Sequence, residues 1–268
     1  MQPPLCAPAT VCLYVPRMAR GLTRRELLTA GAAAAWPLRA SAAGATHNTL
    51  AVGHLTHSGL WNPRPTAMRR LLWEVAKRTS IEVAADAVVL EAQSRDLFYQ
   101  PLLYWASDGA FPPLDATARA RLARYITFGG FILCDSVDGD PTQGAAGSFR
   151  RELAAISEGR EPAVIPRDHV LFKSFYLLDR AEGRTVASPD LWGLTQDNRL
   201  SVVLTVNDLG GAYARDNFGY NLHEVIPGGD MQRERAFRLG VNLVMYATCL
   251  DYKEDQVHIP FILKKRRR

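Results

Sequence analysis

The chain has 268 residues, of which 47% are hydrophobic and 22% are charged. This length and composition are sufficient for one large domain with a substantial core, and no repeat or low-complexity linker divides it. The formal net charge of +5 comes from the two ends, since five arginines precede residue 43 and five basic residues occupy 264–268. The remainder is mildly acidic, which argues against nucleic-acid binding through a basic face.

The first 42 residues have the pattern of a twin-arginine signal peptide. Arg24 and Arg25 precede an apolar, alanine-rich region from 27 to 38, and small residues at 40–42 have the spacing of a cleavage site. The alternative interpretation is a cytoplasmic helix with two adjacent arginines. We expect export, with Met18 as an alternative start, because the order and spacing of all three regions fit a signal.

We expect residues 43–263 to form a single α/β domain in the periplasm or elsewhere outside the cytoplasm, followed by a basic tail at 264–268. No segment of this domain is long and apolar enough to predict a transmembrane helix. The tail is a candidate for peripheral contact with anionic lipid or for contact with a partner, although charged ends more often serve solubility.

In chain order, the first predicted strand is 50–55, followed by a loop and a helix that opens at Pro65. Apolar residues recur at helical spacing between Met68 and Val75, which gives this helix one buried face. Two short apolar runs between 81 and 90 then predict an edge strand.

The stretch 101–140 has the pattern of a parallel βαβ unit. Two short apolar runs flank an amphipathic helix, for which Asp115 is the predicted N-cap and Gly129-Gly130 the stop signal. Each strand ends in an acidic loop. Because open parallel sheets bind ligands at the carboxyl ends of their strands, this edge of the sheet is the predicted site.

The second half continues the alternation of helices and strands. A helix is predicted around 149–156 and a hairpin-like pair of strands within 191–206. A polar loop at 207–229 precedes the last helix, which begins near Asp230. The alternation predicts an α/β fold, a three-layer domain with a mostly parallel central sheet.

Five polar residues are candidates for ligand binding in a crevice at this edge: Asp108, Asp135, Arg150, His169 and Asp208. Asp135 and His169 are also the candidates for a catalytic acid–base pair, since a histidine beside a carboxylate can act as a general base. The plainer interpretation of His169 is a hydrogen bond that caps a turn. For Arg150 it is a solvated helix face with an ion pair.

Two more specific hypotheses, a nucleophilic cysteine and a divalent-metal site, have less support. Cys134 could be the nucleophile of an amidotransferase-like hydrolase, but the adjacent carboxylate raises the pKa of a thiol and no His-x-Glu pair follows. Asp135, Asp138 and Asp140 could hold a divalent metal, but their spacing fits no calcium loop. No dinucleotide, P-loop or serine-hydrolase motif is present. We therefore expect a buried thiol, no bound metal and no cofactor.

A set of segments in a fixed order covers nearly the whole chain after the signal. They are Leu102-Leu103-Tyr104, Tyr125, Gly129-Gly130-Phe131, Asp135, 148–153, Asp168-His169, 172–176, Asn207-Asp208, 235–246 and 255–260. Together they resemble the bacterial family called domain of unknown function 4159. The resemblance implies a three-layer Rossmann-like sandwich, the fold of class I glutamine amidotransferases, without the catalytic residues of that class. It also implies an exported or envelope-attached protein. This chain departs from the family where Val170 follows His169, and where a single aspartate ends the strand after Gly130.

The sequence favours a non-catalytic exported domain that binds a small-molecule ligand or an envelope protein in the predicted crevice. The alternative is an envelope hydrolase of glycan or amide bonds with Asp135 and His169 as the acid–base pair. A third interpretation is a purely structural partner of a membrane complex, with its important surface on the tail or near His258. A binding module would tolerate Asp135→Asn with its fold unchanged, whereas an enzyme would lose turnover.

Overall fold

The structure is a computed structural model, and it describes residues 49–249. Its strands are β1 Val52–Thr56, β2 Val88–Glu91, β3 Leu102–Ser107, β4 Phe131–Ser136, β5 Ala163–Val164, β6 Trp192–Gln196 and β7 Arg199–Thr205. They form one sheet in the order β2-β1-β3-β4-β7-β6-β5. The first five strands in this order are parallel, and β6 is antiparallel to both of its neighbours. The predicted α/β fold with a mostly parallel sheet is confirmed at this level.

The α-helices of the described residues are α1 Ala67–Arg78, α2 Ala116–Thr127, α3 Gly144–Ile156, α4 Leu209–Tyr213 and α5 Gly229–Thr248. Two short 3-10 helices, Arg95–Tyr99 and Val170–Lys173, lie between them in the chain. The predicted edge strand is shorter than expected, because Val83 makes only an isolated bridge to Leu50 before β2 begins. Within residues 49–249, none of the helices has the length and apolar character needed to cross a membrane.

Helices cover both faces of the sheet, because the parallel strands are apolar on both faces. On β4, Phe131 and Leu133 belong to a core cluster with α1 and α5, whereas Ile132 and Cys134 belong to a second cluster with α2 and α3. Successive side chains of a strand point to opposite faces, so the two clusters lie on opposite sides of the sheet. Near-continuous apolar runs such as β3 and β4 are typical of strands buried in this way.

The central βαβ unit forms as its local sequence predicts. The Asp115 side chain accepts a hydrogen bond from Ala118 N at 2.9 Å and so caps α2. After the helix, Gly129 has a positive φ of 102°. Gly130 lies against the ring of Tyr125, where a Cβ atom would come within 2.2 Å of the ring. Both glycines are therefore required, the first by backbone conformation and the second by space.

The order of the strands reverses direction between β1 and β3. The chain passes from β1 to the outer strand β2 and then crosses back to β3 on the other side of β1. The connections on the two sides of such a point diverge, so a crevice opens between the carboxyl ends of the two strands. The loops after β1 and β3 therefore occupy the position where parallel sheets most often bind ligands.

A buried amide attaches the segment after β5 to α5. The side chain of Asn242 is fully buried and accepts from Phe175 N at 3.2 Å and from Tyr176 N at 2.7 Å. Its Nδ2 donates to Leu171 O at 3.0 Å and to Tyr176 O at 2.8 Å. One side chain thus satisfies four backbone groups of an irregular segment that has no sheet partner for them.

We expect Asn242→Ala to lower the free energy of unfolding by about 2–4 kcal/mol, because it leaves buried backbone donors and acceptors without partners. Urea denaturation measures the change. Asn217→Ala, at an exposed asparagine, is the matched control and should change the stability by less than about 0.5 kcal/mol. Equal effects of the two substitutions would contradict the structural role of Asn242.

Candidate functional site

Asp208 is the centre of the carboxyl edge of the sheet. It follows β7, it is fully buried, and its backbone is left-handed with a φ of 53°. A residue other than glycine holds this conformation when the surrounding contacts impose it. Its Oδ1 accepts from Gly211 N at 2.8 Å, which caps the short helix α4.

Two arginines neutralise this buried carboxylate. Arg64 Nε donates to Asp208 Oδ1 at 3.1 Å, and Arg64 Nη2 donates to Oδ2 at 2.7 Å. Arg184 Nε donates to the same Oδ2, and its backbone N donates to Asp208 O at 3.0 Å. Such charge-assisted bonds offset the hydration that a carboxylate loses on burial. They tie the loop after β1 and the segment before β6 to the end of β7.

Asp135, the second buried carboxylate, is enclosed by three hydrogen-bond donors. Tyr104 Oη donates to its Oδ2 at 2.8 Å, Gly210 N donates to Oδ2 at 2.8 Å, and Leu209 N donates to Oδ1 at 3.0 Å. Burial and the nearby charge of Asp208 raise the pKa of Asp135 to about 7, and the three donors oppose that rise. With no exposed surface, this carboxylate holds the first turn of α4 against β4.

Three of the aspartates predicted from the sequence affect the pKa of Arg64. Burial alone would lower the pKa of Arg64, but the hydrogen bonds and charge of Asp208, with the charges of Asp135 and Asp108, raise it above its ordinary value. Asp108 is exposed, and its backbone N donates to Leu60 O at 3.1 Å. The charges of Asp108, Asp135 and Asp208 therefore all act on the Arg64 guanidinium, and of these three only Asp208 is hydrogen-bonded to it.

His223 adds a neutral imidazole to this cluster. Its Nε2 lies 3.1 Å from Arg64 Nη1, and a guanidinium can only donate, so this nitrogen must be unprotonated. Burial and the charge of Arg64 both lower the pKa of His223. Arg233 Nη2 donates to the backbone O of His223 at 2.6 Å and Nη1 donates to Ala212 O at 2.6 Å. The long polar loop is thereby attached to α4 and α5.

Two histidines at the end of β1 shape the loop that follows it. His57 Nδ1 accepts from Gly59 N at 2.9 Å, and its Nε2 lies 3.2 Å from Ala106 O. His54 Nε2 lies 3.3 Å from Trp61 O, and burial lowers the pKa of His54 to about 4. Both rings are therefore neutral near pH 7 and act as hydrogen-bonding supports of residues 57–61.

A cleft of about 410 Å³ opens at the reversal of strand order, between the loop after β1 and the loop after β3. Gly59, Leu60, Trp61, Asn62, Pro63 and Asp108 line it. Asn62 Oδ1 is buried and has no hydrogen-bond partner among the described residues. An unsatisfied buried acceptor in the wall of a cleft is a group that a bound molecule or a water can satisfy.

The structure does not bring His169 to Asp135. His169 caps the 3-10 helix Val170–Lys173, where its Nδ1 accepts from Leu171 N at 3.1 Å. Its ring lies 5.7 Å from that of Tyr246, which in turn lies 5.7 Å from the ring of Phe131 at the amino end of β4. Asp135 lies four residues further along β4, which is about 13 Å at the usual rise. The two residues are therefore at opposite edges of the sheet, and the candidate acid–base pair of the hydrolase alternative is not formed.

Arg150 also lies outside the cluster around Asp208. Its Nε donates to Pro141 O at 3.3 Å, and its guanidinium lies 5.0 Å from the centre of the Trp192 ring.

The two acids after Asp135, Asp138 and Asp140, also lie outside the cluster and accept hydrogen bonds from their own loop and the start of α3. Asp138 Oδ2 accepts from Ala145 N at 2.7 Å, and Asp140 Oδ1 accepts from Thr142 N at 2.8 Å. These carboxylates cap the turn before α3.

Neither the nucleophile nor the metal hypothesis finds a suitable arrangement in residues 49–249. Cys134 is fully buried, and both that burial and the charge of Asp135 raise the pKa of its thiol well above the ordinary value. A reactive cysteine requires a lowered pKa and exposure. Within the same residues, no three His, Cys, Asp or Glu side chains are placed to hold a metal ion.

Two residues of the site, Arg64 and Arg184, carry no motif that marks them in the sequence. The one local signal is the glycine pair after Asp208. A Cβ atom on Gly210 would come within 2.6 Å of Tyr104 Oη. Glycine here allows the backbone N–H of α4 to reach Asp135.

Comparison with known proteins gives a family. The sequence profile of a family described as "Domain of unknown function (DUF4159)" matches residues 51–248. The match contains all seven strands and the five α-helices described above. A search of curated proteins finds no match to this chain.

We expect Tyr104→Phe to destabilise the protein by about 1–3 kcal/mol near pH 8, and by less near pH 5. The pKa of folded Asp135 is raised from 3.8 to about 7, so its contribution to stability is present below pH 4 and is lost as the pH rises through about 7. Loss of the Tyr104 donor raises that pKa further, so the fall in stability extends to higher pH.

Unfolding in urea at the two pH values measures the difference. Tyr125→Phe is the matched control, because the Tyr125 hydroxyl is also buried but donates to the carbonyl of Gln100 at 2.8 Å. Its cost should be the same at both pH values. A pH-independent cost for Tyr104→Phe would show that Asp135 does not titrate in this range.

Proposed function

The chain belongs to the DUF4159 family, and we propose that it is an exported, non-catalytic domain that binds a ligand at the carboxyl edge of its sheet. The binding site is the cleft between the loops after β1 and β3. The buried charges around Asp208 hold these loops in place and do not themselves touch the ligand.

The observation that carries this proposal is the position of the cleft. It lies at the one point among the parallel strands where the strand order reverses, which is where open α/β sheets bind ligands. Its volume of about 410 Å³ falls in the range of small-molecule sites. Its walls come from a loop that His54, His57 and Arg64 fix in place.

The lining residues favour a small hydroxylated molecule such as a sugar. Trp61 offers an aromatic surface, Asp108 an exposed carboxylate, and Asn62 an amide whose oxygen has no partner among the described residues. Carboxylate and amide groups pair with hydroxyls, and an indole ring packs against the apolar face of a sugar ring. Sugars and cell-wall fragments are therefore the first ligands to test.

The surroundings of Asp135 favour binding over the hydrolytic alternative. A general acid or base must come within hydrogen-bond reach of the reacting group. Asp135 has no exposed surface and accepts three hydrogen bonds from the protein. His169 packs at the other edge of the sheet. Hydrolysis of glycan or amide bonds would therefore need other groups.

The proposal also includes the specific type of α/β fold and the cellular location of the protein. A three-layer Rossmann-like sandwich of the amidotransferase-like type is supported by helices on both faces of a mostly parallel sheet. Export by the twin-arginine route is supported by the pattern of residues 24–42. That segment and the basic tail lie outside the described residues, as does the suggested contact of the tail with an envelope partner or lipid.

We expect a sugar or cell-wall saccharide to raise the melting temperature of the full chain, since a ligand that binds only the folded state stabilises it by about 2.7 kcal/mol at 100 times its Kd. Glucose, N-acetylglucosamine and a cell-wall disaccharide are the probes. Trp61→Ala and Asp108→Asn should each weaken binding at least tenfold in calorimetry, while the variants remain folded.

Asp96→Asn removes the same charge from an exposed aspartate outside the cleft, and it should leave the affinity unchanged. Affinity that persists in both cleft variants would contradict the proposed site. No response to any of the three probes would contradict the proposed ligand class.

A further inference from the structure

A second cavity, of about 300 Å³, lies between the first turns of α1 and the hairpin at 215–221. Its lining residues are Thr66, Arg69, Arg70, Trp73, Arg215, Asp216, Asn217 and Gly219. None of them lines the cleft between β1 and β3. What this cavity binds is therefore independent of the function proposed above.

Two guanidinium groups of the cavity, those of Arg70 and Arg215, each have one N–H donor that is not used. Arg70 Nε and Arg215 Nε are both buried and have no hydrogen-bond partner among the described residues. A buried N–H of a charged group costs free energy when it lacks an acceptor, and a bound molecule can supply one. Both unused donors thus identify a place for an acceptor that the described residues do not provide.

Two of the three arginines that line the cavity have carboxylate partners, since Arg69 pairs with Asp86 and Arg70 with Glu74. Glu74 is shared by Arg70 and by Arg78, whose Nε donates to it at 2.7 Å. Within residues 49–249, no carboxylate lies within salt-bridge distance of Arg215, and burial together with the charge of Arg70 lowers the pKa of Arg215. The two guanidinium groups therefore repel each other in a partly dehydrated position.

The amino end of α1 adds positive electrostatic potential to the cavity. Its first turn contains no acidic residue, and Thr66 makes no capping bond to the helix. The Thr66 hydroxyl instead donates to Arg215 O at 2.7 Å and accepts from Arg215 N at 3.1 Å. The helix dipole thus places partial positive charge in the wall of the cavity. The same bonds fix the backbone of Arg215 against α1.

The opposite wall is the hairpin at 215–221, whose carboxylate, that of Asp216, accepts hydrogen bonds within the turn. Asp216 Oδ1 accepts from Phe218 N at 2.9 Å and from Tyr220 N at 2.8 Å. Arg215 and Asn221 form an isolated antiparallel bridge that closes the hairpin. Asp216 is therefore engaged in the turn and forms no salt bridge with Arg215.

An exposed indole ring completes the cavity. Trp73 is 47% exposed, and the Arg70 guanidinium lies 4.2 Å from the centre of its ring. Here the ring is beside the cationic donors, which suits a ligand with both an anionic and an apolar part.

We propose that this cavity binds an organic anion, a carboxylate or phosphate monoester attached to an aromatic or aliphatic group. Arg70 and Arg215 bind the anionic group, as arginines commonly do with carboxylate and phosphate. Trp73 contacts the apolar group. The hairpin from Arg215 to Asn221 carries both a binding residue and one wall of the site.

The test is calorimetric titration of the full chain at low ionic strength with phenyl phosphate, benzoate and inorganic phosphate. We expect phenyl phosphate or benzoate to bind at one site, and the stronger of the two identifies the anionic group. Arg215→Gln should weaken that binding at least tenfold, because the backbone bonds to Thr66 do not depend on the side chain. Trp73→Leu should weaken binding of the aryl probes and leave inorganic phosphate unaffected.

Arg124→Gln, at an exposed arginine of α2 on the other face of the sheet, is the matched control for charge and should bind as the wild type does. Circular dichroism verifies that each variant is folded, and if Arg215→Gln unfolds, Trp73→Leu decides. No binding of any probe would overturn the proposal. So would equal weakening by Arg124→Gln and Arg215→Gln, which would indicate a non-specific charge effect.

Discussion

The carboxyl edge of this protein depends on the burial of one aspartate. Asp208 has no exposed surface, so its hydration must be replaced by the protein, and Arg64, Arg184 and the amino end of α4 replace it. Each of these groups belongs to a different segment of the chain. Removal of the Asp208 charge would leave Arg64 and Arg184 without their acidic partner, and loss of one partner of a buried pair typically costs about 3–5 kcal/mol. The loop after β1 and the segment before β6 are therefore held at this edge by buried charge pairs.

This arrangement separates the groups that build the site from those that are free to bind. Asp135 and Asp208 accept hydrogen bonds from the protein through both of their oxygens. The accessible chemistry lies instead on the loop after β1. That loop contributes Trp61 and Asn62 to the cleft beside β3, and it leads into Thr66 and α1, which form part of the second cavity. Arg64 lies in the middle of this loop, and its bonds to Asp208 therefore position wall residues of both cavities.

The sequence predicts the parts of the structure that depend on local patterns. The βαβ unit of 101–140, the cap at Asp115 and the two glycines at 129 and 130 follow from periodicity and backbone conformation. Asp108, Asp135 and Asp208 end adjacent strands, so strand order alone brings them to one edge. The position of His169 differs from the sequence-based expectation because its 3-10 helix packs on the end of α5, which no local pattern reveals. Arg64 and Arg184 pair with Asp208 across 144 and 24 residues, and contacts of that kind depend on the tertiary fold.

The most direct test of this account is a double-mutant cycle between Arg64 and Asp208. Arg64→Leu, Asp208→Asn and the double variant are compared with the wild type in urea denaturation. If the pair organises the edge, the single substitutions each destabilise strongly, and the double variant recovers a coupling free energy of about 1–3 kcal/mol. Additive effects, with a coupling below about 0.5 kcal/mol, would contradict the claim that this buried pair holds the site together.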